Sequence, residues 1–131
     1  MNAKHLAILL ILSSLLLIGC NAAPSASAPD PNKLHITREP MAFYPMAEQT
    51  ETQINLVQKL YEHILSLPHL STDQGCPDVA GTKYQLTFSR DKTIVLTATA
   101  DSGGCQTVTL NSNDVRAADQ QMWQQIKQIL R

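Results

Sequence analysis

From Lys83 onward the chain adopts a strict two-residue period, and no other pattern limits its fold as tightly. Tyr84, Leu86 and Phe88 alternate with Gln85, Thr87 and Ser89; Arg90-Asp91-Lys92 makes a polar turn; Ile94, Leu96, Ala98 and Ala100 then alternate with Thr93, Val95, Thr97 and Thr99. Successive side chains of a strand point to opposite faces, so the segment reads as a hairpin with one apolar face to bury and one polar face for solvent. Asp101-Ser102-Gly103-Gly104 supplies the next turn, and Cys105 to Leu110 a third strand with Val108 and Leu110 inward. Asn111 to Asp114 signals another turn, ahead of a very short fourth strand at Val115 and Arg116. Connections this short imply an antiparallel meander.

One apolar sheet face needs a cover, and helical periodicity on both sides of the meander supplies it. Ile54, Val57, Leu60, Tyr61, Ile64 and Leu65 share a helix face, and Pro68 stops that helix. Thr50 followed by Gln53 has capping-box form, with Glu48 and Glu51 placed to favour the positive end of the macrodipole. At the other end of the chain Met122, Trp123, Ile126, Ile129 and Leu130 share a face behind Asp119, an expected N-cap. The expected fold is therefore α+β in two layers: an antiparallel three- to four-stranded sheet with an N-terminal and a C-terminal helix packed on one face.

The N-terminal segment belongs to a different argument. Lys4 and His5 precede Leu6 to Ile18, which is apolar apart from Ser13 and Ser14, and Gly19-Cys20 closes the run. As a helix it would rise about 20 Å against about 30 Å of hydrocarbon, so it reads as a cleaved signal and not as a span. Leu17, Ile18, Gly19 and Cys20 resemble the lipobox of bacterial lipoproteins. The resemblance implies a diacylglyceryl group on the Cys20 thiol, cleavage that leaves Cys20 first, and fatty acyl chains such as palmitate that anchor the product at an extracytoplasmic membrane face. Asn21 is not the aspartate that resembles an inner-membrane retention signal, which points to the outer membrane where the source has one. A conventional secretory signal cut near Ala23 is the alternative.

Residues 21–32 hold three prolines and no large apolar side chain, a composition that cannot bury enough surface to fold. The expected organisation is a signal peptide over 1–19, a lipidated Cys20 with a flexible Pro/Ala/Ser linker over 20–40, and a small α+β domain over 41–131. Met41 to Met46, with Phe43 and Tyr44 between Pro40 and Pro45, is too apolar for linker and is expected to pack on the domain edge. The whole chain carries a formal charge of −1, and removal of Lys4 with the signal shifts it slightly further acid. Such a balance offers no field for nucleic acid or an anionic lipid surface.

With Cys20 assigned to lipid, Cys76 and Cys105 remain as a pair in an exported chain, where a disulfide is the expected state. Neither cysteine belongs to a Cys-x-x-Cys. Zinc could in principle recruit His63, His69 and Asp73 beside Cys76, yet Pro68 interrupts the two histidines and the spacing matches no metal motif. Ser71, His69 and Asp73 would make a hydrolytic set on paper, without a Gly-x-Ser-x-Gly elbow, a phosphate loop or a His-Glu-x-x-His to support it. No catalytic residue, metal or cofactor is assigned.

The outward sheet face is the surface with most character: Thr87, Thr93, Thr97, Thr99, Thr107 and Thr109 would lie on it with Gln85 and Val95. Threonine favours strands, so propensity explains much of this, and a docking face for an envelope protein or a glycan is the functional reading. The leading expectation is a membrane-anchored lipoprotein with a non-catalytic binding or interaction domain. The alternatives are an inhibitor-like module, with Phe43-Tyr44 or Leu70 to Pro77 as the binding loop, and a small hydrolase or metal-binding protein using His63, His69 and Asp73.

Overall fold

The computed structural model describes residues 29–71 and 73–131; the expected signal segment over 1–19 and Cys20 lie outside the described residues. In chain order the elements are β1 (Lys33–Arg38), β2 (Ala47–Glu51), α1 (Ile54–Ser66), β3 (Lys83–Arg90), β4 (Thr93–Asp101), β5 (Thr107–Leu110), β6 (Asp114–Ala117) and α2 (Gln120–Ile129). They form one antiparallel sheet of six strands, ordered β2-β1-β3-β4-β5-β6, with two helices. Because β2 and β3 both run antiparallel to β1, they are parallel to each other. Parallel strands need a long crossover, which α1 and residues 67–82 provide.

The α+β class agrees with the sequence, but the sheet has six strands where three or four were expected. The two additional strands precede α1. Lys33–Arg38 offers only Leu34 and Ile36 as apolar alternation, both fully buried, and Ala47–Glu51 offers none because it is a solvated edge. The linker assigned to 20–40 thus contains a strand, and the ordered domain starts before residue 41. Helix α1 likewise begins later than the Thr50 capping box implied. Thr50 pairs with His35 inside the sheet, and the Glu51 carboxylate accepts the Thr52 and Gln53 N–H groups just ahead of the helix.

The core follows parity. Leu34, Ile36, Leu86, Phe88, Leu96, Ala98, Ala100, Val108 and Leu110 point from the sheet to one side, where they meet Val57, Leu60 and Ile64 of α1 and Met122, Trp123, Ile126 and Ile129 of α2. Fully burying each large aliphatic side chain is worth about 1.5–3 kcal/mol. Tyr61 on Phe88, with ring centroids 5.4 Å apart, adds a tilted aromatic contact at the centre. Ile94 breaks the pattern: the register shifts between Phe88 and Ser89, which turns Ile94 out to 62% exposure.

The β6 edge is covered by the chain leaving α1. Leu70 N–H donates to the Val115 carbonyl and Ala117 N–H to the Pro68 carbonyl, closing hydrogen bonds that an open edge would leave to another chain. Arg116 completes the join. Its guanidinium donates to the Leu65 and Leu67 carbonyls at the C-terminal end of α1 and pairs with Asp114 at 2.8 Å. At the other side, Asn32 enters the sheet beside the β3–β4 turn, where its N–H donates to the Ser89 carbonyl and its amide to Asp91. From there β1 runs the length of the sheet to Arg38.

Candidate functional site

At the Arg38 end the helix layer stops short of the sheet, and the gap is a cleft. Arg38 continues the inward parity of Leu34 and Ile36 and faces Tyr84 across the β1–β3 register. Trp123 and Lys127, four residues apart on α2, stand on one helix face above Tyr84. Two connected cavities result. One of about 350 Å³ is lined by Tyr84, Ser102, Gln106, Gln120, Trp123 and Lys127. A second, about 340 Å³, is lined by Arg38, Tyr44, Thr82, Tyr84 and Lys127, so that Tyr84 and Lys127 are shared walls. Volumes of this order suit a small ligand.

The rim is held by backbone and by sulfur. Cys76 and Cys105 form a disulfide with Cα atoms 5.0 Å apart, tying the loop before β3 to the β4–β5 turn. Beside it, Gly81 and Gly103 pass so closely that a Cβ on either would overlap the backbone of the other. Ser102 Oγ accepts the Thr82 N–H at 2.8 Å, and the Asp101 carboxylate accepts the Gly103 N–H at the same distance. These contacts fix where Gln106 stands. Its Oε1 accepts the Trp123 indole N–H at 3.1 Å, which orients the Trp123 ring 6.0 Å from Tyr84, centroid to centroid.

The electrostatics of the cleft are one-sided. Arg38 and Lys127 line it, and among the described residues no carboxylate does. Two acidic side chains at this end of the sheet are engaged elsewhere, Glu39 with the Gln85 amide and Asp101 with Gly103. Arg38 donates to the Pro45 carbonyl at 3.0 Å, and its guanidinium carbon lies 5.8 Å from the Tyr44 ring centroid. Its Nε is buried without a hydrogen-bond partner. An unmet buried donor costs about 1–3 kcal/mol.

The residues singled out from sequence lie elsewhere. His63 Nε2 is 2.9 Å from Asp119 Oδ1 and His69 Nδ1 is 3.0 Å from Asp114 Oδ1, so the two histidines turn to different carboxylates. Asp73 and Ser71 are exposed in the loop after α1. Among the described residues no three His, Cys, Asp or Glu side chains gather into a metal-holding group. Phe43 does not pack on the domain edge; it is 92% exposed at the tip between β1 and β2, because the Met41–Tyr44 bridge closes a tight loop whose outer position it occupies. A broader depression of about 560 Å³ runs beside α2, lined by Lys59, Asp119 and five glutamines, and holds no aromatic ring.

Sequence reasoning missed Arg38, Tyr84 and Lys127 as a group. The available cue was a charged residue on the inward parity of Leu34 and Ile36, with a lysine one turn beyond the lone tryptophan. Neither shows that α2 ends above Tyr84. Comparison with protein-family models, curated proteins and solved structures finds no match.

Proposed function

We propose that this chain is an extracytoplasmic lipoprotein, held at a membrane through acyl chains on Cys20, whose domain binds a small ligand in the Arg38–Lys127 cleft without transforming it. The observation that carries the reading is the pairing of two cations, Arg38 and Lys127, with Tyr84 and Trp123 around adjoining cavities that share Tyr84 and Lys127 as walls. Cations, amides and aromatic planes recognise and orient; the disulfide and the glycine contact fix the rim on which they depend. The lipobox residues Leu17 to Cys20 supply the address.

Trp123 is the single tryptophan of the chain, so its fluorescence reads the cleft. The full-length protein, in detergent, should give a saturable change in Trp123 emission with at least one member of a chemically broad set of small polar molecules, and Lys127→Glu should weaken it. A set without any cleft-dependent response removes the binding reading. Separately, Cys20→Ser should lose lipid labelling and leave the membrane fraction or accumulate as precursor; unchanged labelling removes the anchor.

An inhibitor-like reading draws on a different feature, the exposed Met41, Phe43, Tyr44 and Met46 between Pro40 and Pro45. It requires a protein partner whose binding is lost in Phe43→Ser while the cleft response is kept.

A further inference from the structure

We infer that the ligand of this cleft is an acidic sugar: a hydroxyl-bearing ring that carries a carboxylate or phosphate. The inference rests on the binding reading above and names the class of molecule that the cleft accepts.

Three observations lead to it. First, the cleft offers both donors and acceptors. Gln106 has committed its oxygen to Trp123 and keeps its NH2, Lys127 has only protons to offer, Ser102 keeps its hydroxyl proton, Gln120 brings a whole amide, and Thr82 has given its hydroxyl proton to the Met41 sulfur and keeps lone pairs. A ligand that satisfies such a wall must both accept and donate, with acceptors for the cations, as a hydroxyl-bearing ring does. Second, the fixed charges are Arg38 and Lys127 with no lining carboxylate among the described residues, so one of the ligand's acceptors is an anion. Third, Tyr84 and the largely buried Trp123 line the cleft beside these groups, and Tyr44 stands at the Arg38 side. An aromatic surface ringed by amides and hydroxyls suits the C–H face of a sugar ring, whose hydroxyls meet Gln106, Gln120 and Ser102 while its acid meets Arg38 and Lys127. A purely aromatic acid would use the rings and cations but leave these amides and hydroxyls without partners.

The test is titration of the full-length protein in detergent, followed by Trp123 emission, with four probes: galacturonic acid trimer, glucose 6-phosphate, maltotriose and benzoate. The expected result is saturable binding of one or both acidic sugars at least about tenfold tighter than maltotriose, with Lys127→Gln and Arg38→Gln each weakening it about tenfold and added salt weakening it further. Which acidic probe binds tells a carboxylated from a phosphorylated sugar. Lys127 is exposed on α2, so its variant keeps the test meaningful if Arg38→Gln fails to fold. Maltotriose binding as tightly as the acids overturns the acidic part, and benzoate binding alone overturns the sugar; either leaves the cleft a binding site. Silence from all four overturns the inference, and the broad set described above then decides the binding reading by itself.

Discussion

His63 Nε2 lies 2.9 Å from Asp119 Oδ1, so one carboxylate ties the last turn of α1 to the start of α2 while it also accepts the Met122 N–H as N-cap. The two residues are 56 apart in sequence, and the bond joins the ends of the two helices that cover the sheet. Replacing Asp119 by Ala removes both contacts. Loss of an N-cap costs about 0.5–2 kcal/mol, and Asp119→Ala should lower the thermal midpoint more than His63→Ala, which spares the cap. Equal midpoints for the two variants would show that the cap contributes nothing.

Acid sensitivity follows from two carboxylates. The Asp114 pKa is lowered from its ordinary value of 3.8, chiefly by the hydrogen bond from Arg116, against partial desolvation and with help from the Arg116 and His69 charges. For Asp119, desolvation raises the pKa, but the bonds from His63 and the Met122 N–H outweigh it and the net direction is also down. A carboxyl group depressed in the folded state stabilises fully above its unfolded pKa and loses that contribution as pH falls through the folded value. Urea midpoints should therefore drop as pH descends below about 4. In Asp114→Asn/Asp119→Asn that acid-side decline should be shallower; an unchanged slope would assign the acid loss to other groups.

The disulfide closes a sequence separation of 29 residues. On the chain-entropy estimate, opening such a loop costs about 3.5 kcal/mol, a large share of the stability of a small domain. Cys76→Ser/Cys105→Ser should unfold at clearly lower urea than the oxidised protein and match the reduced wild type. Denaturant curves that coincide for oxidised and reduced protein would contradict this.

The glycines near the rim separate by position. A Cβ on Gly81 would overlap the Gly103 backbone, whereas one on Gly75 meets nothing within 4 Å. Gly81→Ala should cost about 1–3 kcal/mol or more, as overpacking does, and displace the Ser102–Thr82 contact. Gly75→Ala should leave the unfolding midpoint unchanged. Similar midpoints for both variants would mean that the two loops do not approach as closely as described.

Much of the architecture was legible because periodicity alone places it. Leu86, Phe88, Leu96, Ala98 and Ala100 are buried as their alternation requires, Asp119 caps α2, and Cys76 pairs with Cys105. The sequence was silent where stability comes from edges and registers. Ala47–Glu51 becomes a strand through backbone pairing with β1 and shows no apolar signature. Ile94 turns outward because the register shifts beside it, with Val95 left as the extra residue, and this alters its parity. The cleft is the extreme case: Arg38, Tyr84 and Lys127 come from β1, β3 and α2, and only the order β1-β3 in the sheet and the length of α2 bring them together. No local pattern carries that information.

The direction of β1 has one more consequence. The chain enters the sheet at Asn32, beside the β3–β4 turn, and arrives at the cleft only after the six residues of β1, about 20 Å further on at ~3.3 Å per residue. On the proposed function, the anchor side and the ligand side of the domain therefore lie at opposite ends of β1. On that proposal, changing the length of chain between Cys20 and Asn32 would alter the reach from the membrane and leave the cleft, at the far end of β1, unchanged, so reach and recognition would be tuned independently.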